Sequence, residues 1–119
     1  METYESLAAL RDATESSTRT WVARQRTAGR LVTVEVQGRT LIPAIQLTED
    51  GALDRPVAQL VEPLVAAGLG SWGVWSWLTA PDGRLSGDVP VKIVHEEPER
   101  ALRAAQRYAR ELETDRTLA

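Results

Sequence analysis

Three observations predict an α+β fold, mostly α, for this 119-residue chain. Apolar residues recur at helical spacing along most of its length. The period drops to two at residues 31–42, around Gln37-Gly38, the signature of a hairpin with a two-residue turn. The order helix, turn, helix, hairpin fills residues 3–42, which is the order of a small winged helix-turn-helix. Residues 1–43 are therefore expected to form a winged helix-turn-helix-like subdomain, and residues 44–119 a small helical bundle.

Each element has its own warrant. Thr3 is placed to cap a first helix over residues 3–13, with Leu7, Ala8, Leu10 and Ala13 as a thin apolar face. The polar run 14–18 breaks it and supplies caps for a second helix over about residues 18–28. Trp21, Val22 and Ala28 are expected to face inward there, and Arg19, Arg24, Gln25 and Arg26 outward. Gly29 ends it, since glycine adopts the left-handed conformation without cost. Strands 31–36 and 39–42 follow, then the apolar Ala44-Ile-Gln-Leu47 and an acidic turn over 48–51. Asp54 caps a third helix with Pro56 just inside it, where a missing N–H costs nothing. Val57, Leu60, Val61, Leu64 and Val65 form its buried stripe, and Pro63 is expected to kink or split it. A helix over about 71–79 comes next, and then a short one capped by Asp88 with Pro90 in its first turn. The last helix begins at residues 96–99, with acids at its positive end and arginines further along. Ala101, Leu102, Ala105, Tyr108, Ala109 and Leu112 are its buried face, and residues 113–119 read as a loose polar tail.

Composition limits the function. With 43% hydrophobic and 26% charged residues the chain suits one globular domain, or two small subdomains sharing a core. The absence of cysteine excludes disulfides and thiolate metal sites. No apolar run approaches the roughly 18 residues of a membrane span and no signal pattern opens the chain, so a cytoplasmic location is expected. The net charge of −3 argues against broad coating of nucleic acid. Residues 1–46 nevertheless carry six arginines against five acids, and residues 47–119 carry eight Lys and Arg against twelve acids. Local DNA contact belongs to the first part and protein contact to the second.

Catalysis is not indicated, and no catalytic, cofactor or metal residues are assigned. His95 is the only histidine, and no nucleophile, base and orienter group together. Thr48-Glu-Asp-Gly51 lacks the repeated ligand spacing of a calcium site. Gly68-Leu-Gly70 lacks the third glycine and the preceding strand of a dinucleotide fingerprint. Arg19, Arg24, Arg26 and Arg39, with Arg30 beside them, form the candidate DNA-binding set, since arginines so placed neutralise phosphates or reach a guanine edge. The alternative is a solvated helix face balanced by Asp12 and Glu15.

Residues 70–90 hold Trp72, Trp75 and Trp77, three of the four tryptophans, in a chain without phenylalanine. Trp72 and Trp75 share one helix side and are assigned to the core, leaving Trp77 turned away toward a partner. The Pro81-Asp-Gly83 turn and Leu85-Ser-Gly-Asp-Val-Pro90 then force the chain off the helix.

A wider pattern runs through these residues. Pro43-Ala-Ile-Gln-Leu47, Asp50-Gly51, Trp72 to Trp77-Leu-Thr-Ala-Pro81, Leu85-Ser-Gly-Asp-Val-Pro90 and a helix through Glu99-Arg-Ala-Leu-Arg-Ala-Ala105 occur in that order. Over about residues 30–112 this resembles the toxin-binding domain of antitoxins of the Xre/MbcA/ParS type. The resemblance implies a non-enzymatic antitoxin of a type II toxin–antitoxin system that neutralises a RES-domain, NAD-degrading toxin by occlusion. It also implies dimerisation and autoregulation through operator DNA. Aromatic and arginine anchors carry most interfaces, so Trp77, Arg84, Arg103, Arg107 and Arg110 are the expected toxin contacts. The alternative is a small winged-helix DNA-binding transcriptional regulator without a toxin partner.

Overall fold

The computed structural model describes residues 1–118. The chain is α+β and mostly helical, with one two-stranded antiparallel hairpin. Helix α1 spans Tyr4–Leu10. Thr3 Oγ1 accepts from the Ser6 N–H at 3.0 Å, and Ser6 Oγ accepts from the Thr3 N–H at 2.8 Å, a reciprocal capping box. Leu7 and Ala8 are buried, but Leu10 and Ala13 lie exposed, so the inward face is narrower than expected.

Helix α2 spans Glu15–Thr27 and starts three residues before the expected position. Thr14, held extended, accepts the Ser17 N–H and takes the cap. Thr18 is therefore inside the helix, fully buried, with its Oγ1 lacking a hydrogen-bond partner. Val22 is buried and Trp21 half-buried, whereas Ala28 is exposed because it is already the helix's end residue.

Strands β1 (Val34–Val36) and β2 (Arg39–Leu41) pair antiparallel, with Val34 opposite Leu41 and Val36 opposite Arg39. Gln37 and Gly38 both have positive φ, 52° and 78°, which matches the right-handed twist of the strands they join. The N-terminus adds a bridge, with Glu2 and Ile42 exchanging backbone bonds at 2.8 and 2.7 Å. The first strand is shorter than residues 31–36, because Val32 finds a different partner. The buried Gln46 side chain accepts the Val32 N–H at 2.8 Å and donates to the Val32 carbonyl at 2.9 Å. Gln46 closes a 3₁₀ turn, Ala44–Gln46, and its amide takes the place of a neighbouring strand.

Leu31 and Val32, just ahead of β1, pack into different clusters. Leu31 joins a small cluster with Leu7, Val22 and Ile42, and Val32 joins the large cluster of the helical half. Two cores thus share one extended segment.

In the helical half, α3 (Arg55–Ala66) is capped by Asp54 and packs on α6 (Pro98–Leu118) as the central helix pair. Val57, Leu60, Val61 and Leu64 are buried and Val65 half-buried. Pro63 sits near the C-terminal end of α3, where only the carbonyl of Gln59, an exposed residue, loses a donor; the helix runs on through it. Helix α4 (Ser71–Thr79), a 3₁₀ turn at Gly83–Leu85 and the four-residue α5 (Pro90–Ile93) form the corner between them. Val89, not Asp88, occupies the cap position of α5. Of residues 113–119, expected as a loose tail, 113–118 continue α6 and Ala119 lies outside the described residues; the apolar face of α6 extends to Leu112.

Candidate functional site

The arginines of the first half separate into two groups. Arg19 and Arg30 have acidic partners, Glu15 at 3.1 Å and Glu62 at 3.0 Å. Arg24, Arg26 and Arg39 are exposed, and among the described residues no carboxylate pairs with them. Arg19 from α2 and Arg39 from β2, twenty residues apart, border one open concavity together with Thr3, Tyr4, Glu5, Glu15 and Thr40. The fold thus brings half of the expected DNA-binding set to a single place. Tyr4 is the residue the sequence did not reveal there: its ring lies 4.3 Å beneath the Arg19 guanidinium, a contact between α1 and α2 that no spacing rule encodes. The Glu15–Arg19 pair stands at i and i+4 only because α2 starts at Glu15; with the helix expected from about residue 18, the sequence reading did not pair them.

Arg11 holds this half to the acidic turn. Its guanidinium lies 3.9 Å from the Trp21 ring centroid and donates to the Gly51 carbonyl at 2.8 Å. Gly51 has φ +76°, and a Cβ there would stand 2.7 Å from Arg11 Cγ and 3.3 Å from Leu10 Cβ. Only glycine serves at that contact.

The tryptophan corner reverses the expectation. Val74, Trp77 and Leu78, at i, i+3 and i+4, are the buried stripe of α4, so Trp77 is in the core at 8% exposure. Trp72, on the other side, is 50% exposed and meets the half-buried Trp75 edge to face with centroids 6.0 Å apart. The error came from spacing: Trp72 and Trp75 do share a face, but the larger apolar set lies on the opposite one.

Trp77 and Arg84, two of the expected partner contacts, are engaged internally. The Trp77 indole N–H donates to the buried Asp82 carboxylate, which also accepts from the Arg84 backbone N–H at 3.0 Å and from Arg84 Nη1 at 2.9 Å. Arg84 Nη2 donates to Glu111 on α6, and its guanidinium lies 4.5 Å over the Tyr108 ring, itself 6.2 Å from Trp77. Burial pushes the Asp82 carboxyl up, but the three hydrogen bonds outweigh it and hold it below its ordinary value. The Arg84 hydrogen bond likewise lowers Glu111, and that same bond raises Arg84. Arg100 completes the corner, donating to Asp88 at 2.9 Å and to the Leu85 carbonyl at 2.9 Å. Ser86 (φ 55°) and Gly87 (φ 90°) supply the reversal between them.

The other expected partner contacts, Arg103, Arg107 and Arg110, lie exposed on one face of α6, with Arg107 paired to Glu111 at 3.4 Å. His95 is exposed and meets the α3 cap, Asp54, at 2.7 Å. Among the described residues no cluster of three His, Asp or Glu is placed to hold a metal ion, and no helix is long and apolar enough to cross a membrane.

No family model matches the sequence, and no curated protein resembles it. Among solved structures the chain is similar to the NMR structure of Rv2175c, with a TM-score of 0.70 and 26% identity over 90% of this chain and 79% of that one.

Proposed function

We propose that this protein is a small winged-helix DNA-binding regulator. In this reading α1 and α2 are a helix-turn-helix, α2 lies in the major groove, and the β1–β2 hairpin is the wing. The observation that supports it is the convergence of Arg19 and Arg39 on one concavity, on a chain whose α2 also carries the exposed Arg24 and Arg26 without counter-ions among the described residues. Unpaired surface arginines favour an anionic partner because binding releases the cations condensed on phosphate. The acidic excess lies in residues 47–119, so the basic surface stays local. Fluorescence anisotropy with a duplex from the gene's own upstream region tests the reading. With Arg24, Arg26 and Arg39 on phosphates, log K should fall with log salt at a slope of about −2.7. No binding at low salt would sink it.

A second reading, neutralisation of a RES-type toxin as an antitoxin, draws support from exposed side chains of the helical half. Trp72 stands half out of the protein near the edge of α4, and Arg103, Arg107 and Arg110 offer arginine anchors on α6. Trp77 and Arg84 then act as internal support, Arg84 tying the corner to α6 through Glu111. Co-expression with the neighbouring gene product tests it, and the expected result is a complex that Trp72→Ala weakens. Failure to bind that product or to restore growth would count decisively against neutralisation.

A further inference from the structure

Resting on the DNA-binding reading, we propose that Glu15 and Arg19 form a preassembled unit that reads one G·C base pair in the major groove, Glu15 taking the cytosine and Arg19 the guanine. Both are on the first two turns of α2, the part of such a helix that meets base edges. Both side chains are about half exposed, 58% for Arg19 and 50% for Glu15, so the pair faces outward.

The donor and acceptor pattern carries the assignment. Across the major-groove edge, cytosine offers the N4 amino donor and guanine the adjacent O6 and N7 acceptors. The pair offers the complement, a carboxylate acceptor 3.1 Å from a guanidinium donor. Glu15 uses one nitrogen of the guanidinium, Nη2, and Tyr4 contacts its flat face from 4.3 Å, so N–H groups along the edge remain for a base. Ion pair and ring together restrain the guanidinium before any DNA arrives, which lowers the ordering cost of a base contact. A carboxylate in the groove also repels phosphate wherever no cytosine amino group meets it. Glu15 therefore acts chiefly against wrong sequences.

The test is selection from a pool of duplexes randomised over a central window, with wild type, Glu15→Ala and Arg19→Ala, each checked for retained helicity and melting temperature. The selected duplex and its single base-pair substitutions are then titrated by anisotropy. Wild type should enrich a G·C pair at one position and lose about tenfold in affinity when that pair is replaced. Glu15→Ala should abolish the preference for cytosine there while binding unselected DNA more tightly than wild type. Arg19→Ala should lose the guanine preference and weaken binding to every duplex. A Glu15→Ala protein that binds all duplexes more tightly with the wild-type preference unchanged would overturn the assignment and leave Glu15 a solvated ion-pair partner. Absence of salt-dependent binding of any duplex by wild type is a different failure, because it removes the DNA reading as well.

Discussion

The two halves of this molecule use the same kinds of side chain to opposite ends. In the tryptophan corner Trp77 and Arg84 are locked to Asp82 and Glu111 with the Tyr108 ring against both, and the arginine spends both terminal nitrogens inside the protein. In the N-terminal half Arg24, Arg26 and Arg39 stand in solvent without a counter-ion among the described residues. A residue type suited to interfaces is therefore not enough to locate one. What matters is whether its hydrogen-bonding groups are already satisfied, and that depends on neighbours distant in sequence.

The largest expected effect tests the corner. Trp77→Ala removes a buried indole and leaves the Asp82 carboxylate short of a donor, so it should destabilise by about 3–5 kcal/mol. Trp72→Ala should stay within about 0.5 kcal/mol, since its ring is half in water. Urea unfolding of the two variants measures the contrast, and equal losses would erase the distinction drawn between the two indoles.

Gln46→Leu keeps the volume but orphans the buried Val32 N–H and carbonyl, at a cost of about 3 kcal/mol. Because Leu31 and Val32 serve different cores, the loss should also loosen the two halves from each other. Hydrogen exchange at residues 31–34 should rise more than in α3.

Asp82→Asn should cost about 2 kcal/mol at neutral pH, and the cost should be pH-dependent. The folded carboxyl titrates below its ordinary value of 3.8, so its stabilisation is complete above that value and is lost as pH falls through the folded pKa. Wild type and variant should therefore converge in acid, where urea midpoints at pH 7 and pH 3 make the comparison. Persistence of the full gap at pH 3 would show that the carboxylate's charge is not what matters.

Gly87→Val places a β-branched residue at φ 90° with open space around it. Strain alone, about 1–2 kcal/mol, should lower the melting temperature without a packing defect. If stability and partner binding both survive unchanged, the corner does not shape the domain.

The smallest stability effect belongs to the other half. Arg24→Ala and Arg39→Ala should change stability by less than about 0.5 kcal/mol, and under the DNA-binding proposal each should flatten the salt dependence of duplex binding by about one unit. Arg84→Ala should show the reverse, a stability loss with the salt slope unchanged.

Much of this molecule was legible from local rules. The caps Thr3 and Asp54, the Gln37-Gly38 turn, the α3 stripe and the start of α6 follow from interactions within a few residues, and all are present. Local rules also set the arginines of α2 outward. They failed where the deciding partner was remote. Asp88 looks like a cap but pairs with Arg100, twelve residues on, and residues 113–118 look like a tail but extend α6. The chain's pattern also could not choose between the two faces of α4, because tryptophan is both a core and a surface residue. The choice fell to Val74 and Leu78 with the Asp82 acceptor, which together bury more apolar surface and satisfy an indole N–H. Short-range chemistry thus laid down the elements and their caps. Long-range packing settled which indole is core and which stands in solvent, and which arginines keep their donors free.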